Sequence, residues 1–324
     1  MKIRLPAAIA MSVAALLGNP AAHSQTYPVK PVRLIVPFTP GGGTDIVARI
    51  VAQKLTDRFR QQVFVDNRPG AAGTVGADLT VKSAPDGHTM LVGSTSEIGI
   101  GSSLHTKLPY DTLRDLAAVT PLASTPMVLV VHPSIPVKTA KELVAFTLAR
   151  PSQLNYVSAG AGTGNHMSGE LFRYLTKIDI VHVPYKGAGP ALADLVGGQV
   201  HLMFSTLPAA APFVTAGRLK ALAVSSAQRA PSMPDVPTMA ESGVPGYEVE
   251  YWYGFFAPAA TPKDVLARIH ADTAEVLRLP DVIANFAKQG LDPIKKTQAQ
   301  FAAFVKADIE KWAVVVKASG VTVD

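Results

Sequence analysis

Residues 32–47, Val-Arg-Leu-Ile-Val-Pro-Phe-Thr-Pro-Gly-Gly-Gly-Thr-Asp-Ile-Val, constrain this chain more than any other stretch. An apolar run ends at Pro37 and a glycine-rich loop follows. Ile46, Val47, Ile50, Val51, Leu55 and Phe59 then recur at the spacing of an amphipathic helix. A strand that enters a helix through bare backbone leaves several N–H groups unpaired at the positive end of the helix dipole. Such a point attracts an anion. The loop lacks the Lys-Ser/Thr pair of a phosphate loop, and Ile46 stands where a dinucleotide fingerprint needs its third glycine. By itself it also reads as a tight turn, with Asp45 no more than a first-turn cap.

Beyond this unit the chain keeps alternating β-rich runs with helical patterns. Strands are predicted at Gln62–Asn67 and Thr89–Ser94, with a helix over Thr74–Ser83 between them. Ala118–His132 is long, extended and punctuated by proline, as a crossing between two lobes would be. A capping box, Thr139 with Glu142, opens a helix to Arg150. Strands at Asn155–Ser158, Ile178–Val183, Val200–Phe204 and Leu219–Val224 follow, the third running into an Ala/Pro-rich segment. A second extended segment, Tyr247–Ala257, offers a return crossing, and helices at Pro262–Arg278 and Thr297–Lys317 finish the chain. The pattern predicts an α/β fold: two lobes, each a mainly parallel sheet flanked by helices, joined by two extended hinge crossovers. Lobe one is assigned residues 25–125 and 251–324, and lobe two residues 126–250.

Two more glycine-rich strand ends repeat the opening motif. Ser158-Ala159-Gly160-Ala161-Gly162-Thr163-Gly164 opens a helix carrying His166, and Pro184-Tyr185-Lys186-Gly187-Ala188-Gly189-Pro190 does the same one strand later. His166 and Glu170, four apart, have metal-ligand spacing, but no other His/Glu cluster supports them, so a capping or core role is preferred and no metal is expected. Lys186 is open to a ligand contact, with a solvated lysine the preferred reading. Tyr247, Tyr251, Trp252, Tyr253, Phe255 and Phe256 fit either a cleft lining or hinge and core packing. Catalytic motifs are missing: no cysteine, no G-x-S-x-G elbow and no H-E-x-x-H.

Lys2 and Arg4 precede an apolar stretch, Leu5–Leu17, too short to span a bilayer, and Ala22-His23-Ser24 follows as a cleavage site. Residues 1–24 therefore read as a signal peptide, and the mature protein as a soluble one outside the cytoplasm. Having no cysteine, it needs no disulfide. The formal charge of +6 falls by the two leader cations to +4, a mild bias toward small anions. No basic run suits a nucleic-acid backbone and no second long apolar segment suits a membrane span.

Taken in order, these segments resemble the substrate-binding proteins of tripartite tricarboxylate transporters, the Bug receptors. The resemblance rests on the Pro37–Asp45 loop, Asn67-Arg68-Pro69-Gly70-Ala71, Ala84-Pro85-Asp86-Gly87, Leu108-Pro109-Tyr110-Asp111 and Leu154-Asn155-Tyr156. It continues through His182-Val183-Pro184-Tyr185-Lys186-Gly187, Asp235-Val236-Pro237-Thr238 and Phe256-Ala257-Pro258, covering essentially the whole mature chain. It implies a monomeric periplasmic receptor of the type II-like, two-crossover kind, without enzymatic activity or cofactor. Such a receptor closes on a small carboxylate and hands it to membrane permease subunits; a sensor subunit is the alternative, a cleft hydrolase a more distant one. Ligand contacts are implied at Phe38, Pro40, Gly41, Gly42, Gly43, Thr44 and Asp45 in lobe one, and at Ser158, Ala159, Gly160, Gly162, Thr163 and His166 in lobe two. Ser94 and Thr95, with Ser205 and Thr206, are placed to read the ligand's far end. The family often carries Asp-Asn where this chain has Ser205-Thr206, and Ser-Gly-Asn-Gly-Thr where it has Ala159-Gly160-Ala161-Gly162-Thr163. Losing an acid there disfavours an amino-acid ligand and points to a non-amino mono- or dicarboxylate.

Overall fold

The computed structural model describes residues 27–104, 107–319 and 321. The expected signal peptide, residues 1–24, lies outside them. Strand β1 (Val32–Val36) leads into helix α1 (Gly43–Phe59), and β2 (Val63–Asn67) leads through a short turn into α2 (Thr74–Val81). β3 (Thr89–Ser94) enters a π-helical turn, Thr95–Ile100, continued by α3 (Gly101–Leu104). The short α4 (Thr112–Asp115) precedes β4 (Leu116–Val131), and α5 (Ala140–Leu148) follows. Three strand–helix pairs come next: β5 (Asn155–Ser158) with α6 (Gly164–Thr176), β6 (Val181–Pro184) with α7 (Ala188–Val196), and β7 (Leu202–Thr206) with α8 (Leu207–Thr215). β8 (Lys220–Val224), β9 (Glu250–Pro258), α9 (Lys263–Val276), α10 (Pro280–Gln289), β10 (Asp292–Pro293) and α11 (Gln298–Ser319) complete the chain.

Two sheets share β4. In the first, β2, β1 and β3 run parallel, β9 lies antiparallel on β3, and the first part of β4 lies antiparallel on β9 from Leu116↔Pro258 to Pro126↔Glu250. From Met127 to Val131 the same strand enters the second sheet and pairs antiparallel with β7 and β8, while β7, β5 and β6 run parallel. The two-lobed α/β architecture is therefore as expected. The strands that feed the glycine-rich loops are the parallel ones. β9, antiparallel to β3 and β4, makes the first sheet mixed, and β4, antiparallel to β7 and β8, makes the second mixed. β4 and β9 lie side by side as an outgoing and a returning crossover and run in opposite directions.

The helical spacing in α1 is realised: Val47, Val51 and Leu55 are fully buried and Phe59 nearly so. Burying side chains of this size contributes about 1.5–3 kcal/mol each. α8 occupies the segment that sequence left as Ala/Pro-rich. Pro208 sits in its first turn, where a missing N–H costs nothing, and Pro212 is carried inside. α10, absent from the sequence reading, begins on Pro280 and ends on Gly290 at φ 69°, the standard start and stop residues. Among the described residues no helix is long and apolar enough to cross a membrane.

Candidate functional site

Four helices begin at the seam between the sheets, and none of their N-caps is closed by a side chain: Gly42 for α1, Thr163 for α6, Gly187 for α7 and Thr206 for α8. One cavity is lined by the first residues of all four, with Gly42, Gly43, Thr44, Asn165, Ala188 and Thr206 on its wall. Phe38, Ala159, Ser96, Tyr251 and Tyr253 close it, so among the described residues no charged side chain lines it. Its volume is 20 Å3, space for about one water molecule. A second cavity of 290 Å3 adjoins it at Phe38 and Ala159, between the Gly70–Gly73 turn on one side and Gly160, Ala161 and Pro184–Lys186 on the other. A larger cavity of 340 Å3 behind the crossovers is lined by none of the glycine-rich loops.

The seam is tight because glycines face each other across it. A Cβ on Gly43 would stand 2.2 Å from the Tyr253 hydroxyl and 2.6 Å from Thr206 Oγ1. One on Gly187 would stand 2.1 Å from Thr39 Oγ1, and one on Gly189 would stand 2.4 Å from the Pro40 carbonyl oxygen. Gly164 N–H also donates to Ser96 Oγ across the seam, at 2.9 Å. Among the described residues the buried Tyr253 hydroxyl makes no hydrogen bond of ordinary geometry, with the Thr206 hydroxyl close by.

The structure divides the predicted residues by job. Phe38, Gly42, Gly43, Thr44, Ala159 and Thr206 line the inner cavity, and Gly160 the outer one. The others shape the loops that hold these in place. Asp45 is 4% exposed; its carboxylate accepts the Gly41 N–H at 3.0 Å, the Asn67 amide at 3.0 Å and a forked pair from Arg49 at 2.8 and 2.9 Å. Burial works to raise its pKa, but those donors outweigh it and hold the group below the usual carboxylate range. Gly41, at φ 84°, makes the turn that delivers this N–H, and Pro40 packs under Gly189. Ser94 is bound to Glu97, Thr95 Oγ1 accepts the Trp252 N–H at 2.9 Å, and the Ser205 hydroxyl donates to the Thr206 carbonyl at 3.2 Å. Of the residues placed to read a distal group, Thr206 alone therefore reaches the inner cavity wall.

The second loop is braced from beneath. Ser158 Oγ accepts the Gly160 N–H at 3.1 Å, Thr163 Oγ1 donates to the Gly160 carbonyl at 2.7 Å, and Gly162 N–H donates to His166 Nδ1 at 3.0 Å. The His166 and His182 rings stack with centroids 3.9 Å apart, and His182 in turn stacks on Tyr156 at 4.8 Å. Burial lowers the pKa of both imidazoles, that of His182 to about 3 with further lowering from His166 and Arg173. Glu170 is bonded by Tyr156 and Arg173, so the metal-like His166/Glu170 spacing serves this brace. Ser158 Oγ lies 2.7 Å from His182 Nε2, a distance a nucleophile and its base would have. The serine is fully buried and its hydroxyl is engaged by Gly160, so it serves the loop.

Sequence reasoning missed Ser96, Asn165 and Ala188 on the inner wall and the Gly70–Gly73 turn on the outer one. Tyr251 and Tyr253 lay in the aromatic cluster whose role the sequence left open. Ala188 belongs to the third glycine-rich loop, whose similarity to the other two was the available signal.

Comparisons with known proteins point to one family. Residues 47–321 match the model of the tripartite tricarboxylate transporter family receptors. The chain is 38% identical over 318 residues to the protein BugT of Bordetella pertussis, covering 98% of each chain. The structure of MatC from Rhodopseudomonas palustris, solved with bound malate, is similar with a TM-score of 0.86 at 34% identity, over 90% of this chain and 100% of that one. An R. palustris protein solved with adipate gives a TM-score of 0.89 at 34% identity, over 91% and 99%.

Proposed function

The chain belongs to the tripartite tricarboxylate transporter receptor family, and from that membership we propose that it captures a small non-amino carboxylate at the seam and presents it to the permease subunits of such a transporter. The observation that carries this reading is the convergence of four helix N-termini without side-chain caps on one cavity that, among the described residues, holds no cationic side chain. Each N-terminus contributes about 0.3–1 kcal/mol toward an anion, and up to about 2 when partly buried. These contributions come together when the lobes meet, so an anion that touches both sides stabilises the closed form for the permease to read. One carboxylate oxygen at the inner cavity and the remainder of the molecule in the outer one suit a short dicarboxylate, the class bound by the malate and adipate relatives. Among the described residues no acid lines the inner wall to pair with an ammonium, which supports the exclusion of amino acids.

The contact residues proposed are Phe38, Gly42, Gly43, Thr44, Ser96, Ala159, Gly160, Asn165, Ala188, Thr206, Tyr251 and Tyr253. Residues 1–24 are assigned to a cleaved signal peptide and the mature chain to the periplasm, acting as a monomer. Residues 25–125 and 251–324 form the first lobe, and residues 126–250 the second. A thermal-shift screen of residues 25–324 against mono-, di- and tricarboxylates and amino acids tests the assignment. At a hundredfold excess over Kd a true ligand adds about 2.7 kcal/mol of stability. Stabilisation by one class of non-amino carboxylate is expected; tight binding of aspartate or glutamate, or no response to any anion, refutes the reading.

A further inference from the structure

One acid stands directly behind the cavity wall, and among the described residues no cation is bonded to it. Glu97 is 1% exposed; its Oε1 accepts the Ser94 N–H at 2.6 Å and its Oε2 lies 2.6 Å from Ser94 Oγ. From there a chain of hydroxyls runs to the cavity: Ser94 Oγ to Tyr251 Oη at 2.8 Å, then Tyr251 Oη to Ser96 Oγ at 2.7 Å. Ser96 Oγ accepts the Gly164 N–H from the opposite side of the seam at 2.9 Å, and Ser94 Oγ accepts the Ser96 N–H at 3.3 Å. Ser96 and Tyr251 line the inner cavity; Glu97 does not.

Each hydroxyl has one proton to donate and two lone pairs. When Glu97 is a neutral acid, its proton goes to Ser94 Oγ, Ser94 donates to Tyr251, and Tyr251 donates to Ser96. Both Ser96 lone pairs are then occupied, by Tyr251 and Gly164, and its remaining proton points into the cavity. When Glu97 is ionised, every donor reverses. Ser94 donates to Glu97, Tyr251 to Ser94 and Ser96 to Tyr251, which turns a Ser96 lone pair toward the cavity. The first arrangement offers a carboxylate a donor and the second repels it.

We infer, resting on the carboxylate-receptor reading, that Glu97 is a positioning residue which lets the seam accept a carboxylate only while it is protonated, so that binding is coupled to one proton through Ser94, Tyr251 and Ser96. The groups facing Glu97 are phenols and backbone: Tyr251 and Tyr253 from β9, Tyr110 ahead of α4, Gly73 from the turn before α2, and the Ser94 N–H from β3. α6 approaches through the Gly164 N–H at Ser96. Further off are Asp78 of α2, beside Tyr110, and Asp308 of α11, bonded to Trp252. Burial accordingly pushes the Glu97 carboxyl up to about 8, against the hydrogen bonds from Ser94.

Glu97→Gln is the informative variant, since an amide donates to Ser94 Oγ while its oxygen accepts the Ser94 N–H, as the neutral acid does. Two measurements are made on the mature protein. Difference infrared spectroscopy without ligand follows the protonated-carboxyl stretch lost in Glu97→Gln. Titration calorimetry with malate and with adipate, in two buffers of different ionisation enthalpy at about pH 7 and about pH 9.5, counts protons taken up. The expected results are a protonated Glu97 at neutral pH, and affinity falling about tenfold per pH unit above its pKa. Uptake should approach one proton at the higher pH in the wild type and vanish in Glu97→Gln, whose affinity stays level. An ionised Glu97 at neutral pH, or the same pH dependence in both proteins, overturns the inference alone. Failure of both dicarboxylates to bind either protein, with the carboxyl band present, overturns the dicarboxylate assignment and the inference with it.

Discussion

Gly187→Ala separates closure of the seam from stability of the fold. Gly187 has φ 162°, extended backbone open to any residue, so alanine there brings no backbone strain. The difficulty lies across the seam. The new Cβ would stand 2.1 Å from Thr39 Oγ1, 2.9 Å from Thr39 Cβ and 3.0 Å from the Thr39 backbone nitrogen. An unstrained carbon–oxygen contact needs about 3.3 Å, so more than 1 Å must be recovered. Rotating the threonine frees Oγ1 but leaves its Cβ and backbone nitrogen in place. Overpacking of this size costs about 1–3 kcal/mol. Residues 39 and 187 lie in loops that follow strands of different sheets, so opening between the sheets removes the clash and the cost falls on the closed form. The expected result is a Kd raised about 5- to 150-fold, with the denaturation midpoint of the ligand-free protein unchanged. Gly42→Ala is the control, because its Cβ would meet Ala188 Cβ at an ordinary 3.6 Å. Calorimetric titration with the carboxylate found in the screen, alongside urea denaturation without it, measures both quantities. Unchanged affinity in Gly187→Ala, or an equal loss of ligand-free stability, refutes the argument.

Three further outcomes follow from the same geometry. Tyr253→Phe removes a buried hydroxyl that makes no hydrogen bond of ordinary geometry among the described residues, so ligand-free stability in urea should hold or rise while carboxylate affinity drops about tenfold or more; unchanged affinity argues against the hydroxyl as a contact. Asp45→Asn should cost about 1 kcal/mol at neutral pH, at the low end of the range for a broken buried acceptor because the Arg49 side chain is half exposed. The folded pKa of Asp45 is depressed, so its contribution is complete above about pH 4 and is lost as pH falls through the folded value. The variant's acid denaturation should therefore be less steep, and identical curves would contradict this. His182 stays neutral in the fold down to about pH 3, whereas the unfolded chain protonates it below about pH 6.5. Wild-type stability should thus fall as pH drops through that window, and His182→Gln should flatten the slope in a urea-midpoint series; equal slopes would count against a buried neutral imidazole.

Local chemistry made much of this protein legible in its sequence. The Pro37–Asp45 loop and the helical repeat after it announced a strand–loop–helix unit, since bare backbone before an apolar periodicity has few other uses. Thr297 and Gln300 announced the start of α11 by a capping box that the structure contains, with N–H bonds of 2.9 and 3.3 Å running both ways. At Thr139 the box is incomplete: Glu142 reaches the Lys138 N–H instead. The crossovers were visible as extended, proline-punctuated runs, but their pairing with each other was not, because strand partners are chosen by the whole sheet.

Sequence by itself determined which segments are strands ending in glycine-rich loops, how many such ends the chain carries, and that an anion is the natural occupant of such ends. Tertiary structure alone decided which side chains face the inner cavity. Asp45, Ser94, Ser158 and His166 carry the polar groups that motif reading favours, yet each is drawn into bracing its own loop. Glycine, alanine, Phe38, the short hydroxyl residues Thr44, Ser96 and Thr206, Asn165 and two tyrosines from a crossover strand line the inner cavity instead. The reason is energetic: a buried polar group takes the nearest partner available, and whether that partner is its own loop or a ligand depends on distances set by how the two sheets meet.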